Sequence, residues 1–290
     1  PDCRASIAHA SMLQAIGILS EGETGSLVRE LERIIALHRE KKFRIKIGDE
    51  DCHTAIENHL TRKLGPAGRK IHAGRSRNDQ VLVAIRLYSK DKLNHIKSSL
   101  QTLIGRFNRL ARRYRSTPVP GYTHSRKAMP FSAGRYFAAY GEAFRDDLRL
   151  LDFVSRLTDQ NPLGSAAGYG TTLRLNRRMT TRLLGFRKTQ KNALYAQNSR
   201  GKQVIETVKG LPSGYHRDLQ LTKEPLIRGF RKTLETIEVM SLVLENLQID
   251  KERCRKACTE DIYAADRVYE LVKKGVAFRD AYRRVSRRWK

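Results

Sequence analysis

The sequence predicts an all-α fold built around a bundle of long helices, flanked by smaller N- and C-terminal helical parts. Apolar residues recur every three or four positions over long stretches, which is typical of amphipathic helices. Alternating β-branched runs closed by turn pairs, which would predict strands, are nearly absent. A chain of 290 residues is also long enough to bury a sizeable core.

The clearest predicted helix lies in the first half of the chain. Its apolar positions follow spacings of three and four residues: Leu93, Ile96, Leu100, Leu103, Phe107, Leu110 and Tyr114. Such a heptad seam predicts packing at a shallow angle against other helices. Ser89 or Asp91 could start its regular part, and the turn STPVPG at residues 116–121 is expected to stop it.

Further helices are predicted in the second half of the chain. One runs from about Ser132 to Leu157 and ends at the glycine-rich stretch NPLGSAAGYG, and another begins near Lys223. A glycine turn inside KKGVAFRDAYRRV should then lead into a last helix. Helix length suggests three parts: an N-terminal helical domain over residues 1–75, a central bundle over 76–247 and a C-terminal helical domain over 248–290.

The charge of the chain is its most unusual bulk property. Lys and Arg number 57 against 30 Asp and Glu, which gives a formal net charge of +27. Such a balance attracts polyanions at low salt. The basic residues are spread over the whole chain, however, and no nucleic-acid motif occurs. The charge therefore predicts non-specific nucleic-acid contact only.

Location and metal chemistry follow from what the sequence lacks. No apolar stretch approaches the roughly 20 residues that span a bilayer, and no signal peptide opens the chain. We expect no membrane contact, a cytoplasmic protein and reduced thiols. Cys254 and Cys258 are four residues apart, without a further pair to complete a zinc site, so no metal is expected.

Four segments place polar side chains where a bundle helix should begin or end. The first, GDEDCHTAIE, sets Asp51 and His53 ahead of an apolar run. Taken alone, this pattern is typical of a helix N-cap with acids at the positive end of the helix dipole.

The second segment, AGRSRNDQV, combines a possible cap with two cations. Asn78 or Asp79 can cap the helix that follows, whereas Arg75 and Arg77 flank Ser76 just before it. Capping does not require arginines. The segment therefore predicts a receptor for a carboxylate or phosphate at the positive end of a helix.

The third and fourth segments carry groups suited to proton transfer and substrate binding. VPGYTHSRKAMP holds Thr123 and His124 in a turn bracketed by prolines, although a lone histidine is more often structural. LPSGYHRDLQLTKEP presents Tyr215, Gln220 and Lys223, which could equally begin an amphipathic helix.

Taken together, these segments resemble the argininosuccinate lyase/δ-crystallin family of the fumarase/aspartase superfamily. The resemblance runs from about Asp2 to Val285 and rests on SIAHASML, EDCHTAIE, GRSRNDQV, PGYTHSRKAMP, NPLGSAAGYGTTL and LPSGYHRDLQLTKEP. It implies a long-helix bundle of the fumarase/aspartase type. It also implies a homotetramer whose active sites are each assembled from three subunits, with no metal and no organic cofactor.

The implied reaction is a β-elimination that splits argininosuccinate into arginine and fumarate. Charge builds up on a substrate carboxylate in the transition state, so cations and hydrogen-bond donors must surround it. By resemblance, Thr123 and His124 would be the catalytic residues, and Asp51 and His53 would lie behind the substrate. The implied substrate-binding residues are Arg75, Ser76, Arg77, Asn78, Tyr215, Gln220 and Lys223.

The sequence departs from the family in one catalytic segment. Family members carry a glycine–serine–serine loop followed by a Met-Pro-x-Lys-Lys-Asn-Pro run, whose serine is the favoured general base. Here no such triplet occurs, and a bundle helix and that loop have no counterpart near residues 205–210. Two explanations are open: either residues are missing from the sequence as read, or the chain is truly shortened.

Arginine content is a second departure, and several functions remain open. Arginines stand where apolar, proline, small or acidic residues are expected: Arg135, Arg174, Arg177, Arg178, Arg187 and Arg228.

The alternatives to an active argininosuccinate lyase are an inactive crystallin-like homologue, an adenylosuccinate lyase-type enzyme and a basic polyanion-binding protein. If the serine loop is truly absent, elimination should be severely impaired.

Overall fold

A computed structural model of the chain describes residues 1–124, 126–198, 223–276 and 278–286. The chain divides into two compact units. The first comprises Pro1–His95 and Asp152–Lys232, and the second comprises Ile96–Leu151 and Thr233–Lys290. The three domains predicted from helix length, over residues 1–75, 76–247 and 248–290, are consecutive in the chain, whereas each compact unit combines two separate segments. The division into three domains stays a prediction.

The first unit begins with four helices around an apolar core. They are α1 (Asp2–Ala15), α2 (Glu21–Arg39), α3 (Cys52–Leu64) and α4 (Pro66–Lys70). Ser20 starts α2 with a capping box, because its side chain accepts from the amide of Glu23 and its amide donates to the Glu23 carboxylate. Fully buried side chains of α1, α2 and α3 pack together: Met12, Leu13, Leu27, Leu31 and Leu60.

The longest helix, α5, spans Arg77–Arg113. The predicted heptad seam is confirmed, because all seven of its side chains are buried. The helix starts well before Ser89 or Asp91, which were the predicted starting points of its regular part. Its N-terminus lies in the polar segment that the sequence predicted as an anion receptor.

A β-hairpin follows α5, where the sequence predicted only a turn. Strand β1 (Pro118–Thr123) pairs antiparallel with β2 (Arg126–Ser132), with an irregularity between Pro120 and Tyr122. The prolines concealed these strands from pattern analysis. A two-stranded hairpin tolerates them, because each strand has an outer edge where a missing N–H breaks no ladder bond.

Helix α6 (Ala133–Thr158) confirms the second predicted long helix to within a residue at each end. The first unit then continues through β3 (Gln160–Asn161), α7 (Arg177–Leu183), β4 (Lys188–Thr189) and α8 (Ala193–Asn198), with β3 and β4 parallel. The glycine-rich stretch between β3 and α7 is an irregular loop, as expected. Fold class is therefore all-α, with two small two-stranded sheets in the described part of the chain.

The remaining described elements are helical. They are α9 (Lys223–Asn246), α10 (Lys251–Ala257), a 3₁₀ turn (Glu260–Tyr263), α11 (Ala264–Lys273) and α12 (Phe278–Ser286). Helix α9 begins at Lys223, as predicted. The predicted glycine turn before the last helix is also present, with Gly275 at φ 89°. No helix in the described ranges is long and apolar enough to cross a bilayer.

Arg177, the first residue of α7, organises the loops of the first unit. Its guanidinium donates to the carbonyl oxygens of Leu163 at 2.8 Å, Pro162 at 3.2 Å, Gln190 at 2.7 Å and Lys191 at 3.3 Å. Burial lowers the pKa of Arg177, and the charge of Asp79 opposes that effect. One of the arginines that departs from family expectation is thus an internal cross-link between two loops.

We predict that Arg177→Met lowers the free energy of unfolding by about 2–3 kcal/mol, because it leaves several carbonyl groups without donors. Arg178→Met is the matched control, since Arg178 is the next residue and is exposed. The control should change stability by no more than about 0.5 kcal/mol. Urea unfolding followed by circular dichroism measures both, and equal midpoints would contradict this role of Arg177.

Candidate functional site

Two side chains three positions apart, those of Ser76 and Asp79, set the start of α5. Ser76 is the N-cap: its carbonyl accepts from the amide of Gln80 at 3.1 Å, and its hydroxyl accepts from the amide of Asn78 at 3.3 Å. The Asp79 carboxylate accepts from the Ser76 amide at 2.9 Å. The cap is therefore Ser76, not Asn78 or Asp79, and Asp79 completes it from inside the first turn.

Asp79 also binds the glycine-rich loop. Its second carboxylate oxygen accepts from the amides of Gly164 at 2.8 Å and Ala166 at 3.0 Å, and the side chain is fully buried. Burial raises the pKa of Asp79, against the lowering effect of these three backbone donors and of Arg75. This one side chain thus joins the start of α5 to the loop that precedes α7.

Arg75 is held beside α1 and the first turns of α5. Its guanidinium donates to the Ser6 hydroxyl at 3.0 Å. With the Gln80 amide oxygen turned toward it, Gln80 accepts at 3.2–3.3 Å. Burial lowers the pKa of Arg75 to about 10, and Asp79, Asp2 and Glu57 oppose this shift. Arg75 is therefore a desolvated cation at neutral pH.

Arg77 is engaged with acidic residues. Its guanidinium pairs with Glu50, lies 3.3 Å from the Asp51 carboxylate and donates to the Thr54 hydroxyl at 2.7 Å. Burial lowers the pKa of Arg77, but the Glu50 hydrogen bond and the nearby acids raise it overall. Within the described structure, the charge of Arg77 is largely compensated, whereas the sequence predicted a cation available to an anion.

Asp51 has the capping role that its position predicted. Its carboxylate accepts from the amides of His53 at 2.9 Å and Thr54 at 3.1 Å, at the N-terminus of α3. Because its other oxygen faces Arg77, Asp51 links the starts of α3 and α5. Neighbouring His53 is buried, and its Nδ1 lies 2.8 Å from the Asp2 carboxylate.

Lys223 belongs to the same neighbourhood. It is the first residue of α9. Burial and the charge of Asp2 raise the pKa of the Cys52 thiol at the start of α3 to about 12, and the charge of Lys223 opposes this shift. Tyr215 and Gln220, the other two residues predicted from that segment, lie outside the described residues.

The space beside Arg75 is small. His53, Glu57, Arg75 and Gln80, together with Ser6, line a cavity of about 10 Å³. That volume suits one water molecule, whereas ligand pockets usually measure hundreds of cubic ångströms. As described, these side chains form a pre-ordered polar wall, and they do not by themselves enclose a substrate.

His9 is a residue near this wall that the sequence did not single out. It is fully buried in α1, and its Nε2 lies 2.9 Å from the carbonyl oxygen of Ala73. Burial and the charge of Arg75 hold the pKa of His9 well below its usual value, so the ring is neutral and Nε2–H donates. Ser6 and His9 both lie in the motif SIAHASML. The motif therefore indicated the segment, but its sequence does not show that Ser6 contacts Arg75 or that His9 contacts Ala73.

Thr123 and His124 lie elsewhere in the chain, in the second unit. Thr123 ends β1, and His124 follows it in the hairpin turn with a left-handed backbone at φ 50°. Histidine adopts that conformation more often than most residues. Both side chains are exposed, and His124 lies in the turn of the hairpin.

Six of the predicted residues therefore come together in the first unit: Asp51, His53, Arg75, Ser76, Arg77 and Asn78. Lys223 is near them, and Thr123 and His124 are in the second unit. This first-unit group can hold an anion through Arg75 and Lys223 and can order backbone amides at the start of α5.

We predict that Asp79→Asn destabilises the protein by about 2–3 kcal/mol, because an amide has one acceptor oxygen where three backbone donors need two. Asp91→Asn is the control, since Asp91 lies on the same helix and makes an exposed ion pair with Arg4. That control should cost no more than about 1 kcal/mol. Thermal unfolding compares them, and a larger effect of Asp91→Asn would overturn the role given to Asp79.

Comparison with known proteins identifies relatives along the whole chain. The family described as lyase matches residues 2–209. An argininosuccinate lyase from Thermotoga neapolitana is 36% identical, covering 99% of this chain and 90% of the relative. One from Xanthomonas campestris pv. campestris, strain B100, is 38% identical, covering 97% and 82%. An EDDS lyase in complex with formate shares the fold at a TM-score of 0.79 and 22% identity, covering 98% of this chain and 70% of that one.

The alignment to the Thermotoga relative also bears on the missing loop. It extends over 359 residues, whereas this chain has 290, so the relative contains residues for which this chain has no counterpart. The match nevertheless spans nearly the whole chain at a level of identity that relatives within one family share. The chain belongs to the argininosuccinate lyase family of carbon–nitrogen lyases, within the fumarase/aspartase superfamily.

Proposed function

We propose that this protein catalyses the β-elimination of argininosuccinate to arginine and fumarate, as a step in arginine metabolism. The observation that carries the proposal is the 36% identity to an argininosuccinate lyase over 99% of the chain. The polar groups at the starts of α3 and α5 support it. They supply cations and amides of the kind that a dicarboxylate substrate requires.

Arg75 is the cation best suited to stabilise the carboxylate that gains charge. Its guanidinium is already desolvated and is held by Ser6 and Gln80. A charge in such surroundings acts strongly on a nearby anion, because little water screens it. Ser76 and Asn78 lie at the cap of α5, where backbone amides reinforce the same field. Lys223, and Tyr215 and Gln220 by resemblance, complete the substrate-binding set.

His124 is the proposed proton-transfer residue, and Thr123 is its neighbour at the reacting centre. Exposure at the tip of a hairpin supports this role, because the side chain is available to a ligand or to another subunit. In this mechanism a base removes a proton from the carbon next to the one that bears the nitrogen. The C–N bond then breaks, and an acid protonates the leaving guanidinium nitrogen.

The general base is the open part of the mechanism. The residues absent relative to the Thermotoga protein favour a second candidate, a family member that keeps the fold but lacks turnover, as a crystallin-like homologue would. Incubation of the purified protein with argininosuccinate separates the two, with fumarate followed by absorbance and arginine by chromatography. Formation of both products supports the enzyme, and formation of neither supports the inactive homologue.

We further propose a homotetramer in which different subunits contribute to each active site. Exposed apolar side chains on α6 and α9 support this assembly: Leu150, Phe153, Leu157, Val239, Leu242 and Val243. Large apolar side chains that are exposed along long helices are typical of a subunit interface. A cytoplasmic location is consistent with cysteines that are free throughout the described chain.

We predict that His124→Asn reduces kcat by about 100-fold or more, because the general acid–base contribution of such a group is of that size. His38→Asn is the control, since His38 is exposed on α2 and has no proposed role. Steady-state fumarate release measures both variants. Near-normal turnover in His124→Asn would remove His124 from the mechanism without affecting the family assignment.

For the assembly, we predict that Leu150→Glu converts a tetramer into smaller species, because a carboxylate would be buried in an apolar interface. Arg149→Glu is the control at the preceding position, where the side chain is exposed and pairs with Asp146. Light scattering coupled to size-exclusion chromatography reports the mass of each variant. A monomeric wild-type protein, or equal dissociation in both variants, would contradict the proposed interface.

A further inference from the structure

Three chemically different ligand groups converge where α1 meets the start of α3. The Asp2 carboxylate accepts from the Cys52 thiol at 3.3 Å through one oxygen and lies 2.8 Å from His53 Nδ1 through the other. The carboxylate oxygen, the Cys52 sulfur and the His53 nitrogen all lie within 4.8 Å of one another. Cys52 and His53 are adjacent in sequence, so this site was invisible to a search for paired cysteines.

The spacing is close to what a tetrahedral metal requires. With bonds of about 2.0–2.3 Å to zinc, neighbouring ligand atoms lie roughly 3.3–3.8 Å apart. The Asp2 oxygens lie 2.8 Å from His53 Nδ1 and 3.3 Å from Cys52 Sγ, and one ligand atom of each residue lies within 4.8 Å of the other two, so modest side-chain rotations bring the three atoms to these separations. Nitrogen, thiolate sulfur and carboxylate oxygen are also the three donor types that zinc uses in proteins.

The protonation of the cluster is consistent with exchange of protons for a divalent ion. The Cys52 thiol donates a hydrogen bond to one oxygen of the Asp2 carboxylate, and His53 Nδ1 contacts the other oxygen, so both contacts to Asp2 are made through groups that a metal ion can replace. A cation would bind the carboxylate directly and displace the thiol proton to solvent. The proton on Nδ1 would leave or move to Nε2.

We propose that Asp2, Cys52 and His53 form a binding site for a thiophilic divalent cation, with Zn²⁺ as the preferred ion and a fourth position left to water or an anion. The site is independent of the elimination reaction, but it shares His53 with the wall beside Arg75. Metal binding would therefore reorient a side chain next to the proposed substrate site.

Titration of the full chain with Co²⁺ tests the site, because thiolate coordination produces a charge-transfer absorption that oxygen and nitrogen ligands do not. We expect one equivalent of Co²⁺ to produce that band and one equivalent of Zn²⁺ to remove it. Cys52→Ser should abolish the band and weaken Zn²⁺ binding about tenfold or more, by analogy with other losses of metal-site residues. Cys254→Ser, a cysteine of the second unit, should leave both unchanged.

A second measurement uses only the unmodified protein, in case Cys52→Ser folds poorly. Alkylation by iodoacetamide, mapped by mass spectrometry, should be slowed at Cys52 by Zn²⁺ and restored by a chelator, while Cys258 reacts at the same rate throughout. No thiolate band with the wild-type protein, a band that persists in Cys52→Ser, or alkylation of Cys52 that ignores zinc would each overturn the proposal. None of these outcomes depends on argininosuccinate turnover.

Discussion

The buried carboxylate of Asp79 is the interaction on which the described part of the site depends. A buried charge is costly unless hydrogen bonds compensate it, and Asp79 receives three from backbone amides. Those amides belong to Ser76 and to Gly164 and Ala166, so one side chain orders both the helix start and the glycine-rich loop. Asn78 directly precedes Asp79 and Arg75 lies four residues before it, so their positions follow from the same constraint.

Long-range order in the first unit has the same character elsewhere. Arg177 binds four carbonyl groups from two loops, and His9 binds the carbonyl of Ala73. In each case a polar side chain on a helix satisfies backbone groups of an irregular segment. Irregular loops cannot rely on ladder hydrogen bonds, so buried side chains must provide the missing partners.

The helices could be predicted from the sequence because the apolar repeat that indicates each helix lies within one continuous segment. The seam from Leu93 to Tyr114 is a repeat within one segment, and its burial follows directly from the spacing. The hairpin at β1 and β2 could not be predicted, because Pro118, Pro120 and Pro130 mask the alternation of a strand. Ser76 was also not chosen as the cap of α5, since its competitors Asn78 and Asp79 are equally common caps.

The site shows the same division between local and distant information. Motifs selected the candidate segments, and six of the predicted residues do lie in the first unit. What the motifs could not reveal is how these residues pair. Arg77 is compensated by Glu50 and Asp51, and Arg75 contacts Ser6, far away in sequence. Such pairs depend on the packing of α1 and α3 against α5, which no spacing within one segment encodes.

The prolines of the hairpin have a consequence for solubility. An exposed two-stranded ribbon offers its outer N–H and C=O groups to any passing strand, which is a route to aggregation. Proline has no N–H to offer, and in this ribbon Pro120 faces Pro130 across the strands while Pro118 begins β1. The prolines therefore reduce the number of N–H groups that the edges of this hairpin could offer to a further strand, while His124 stays exposed in the turn.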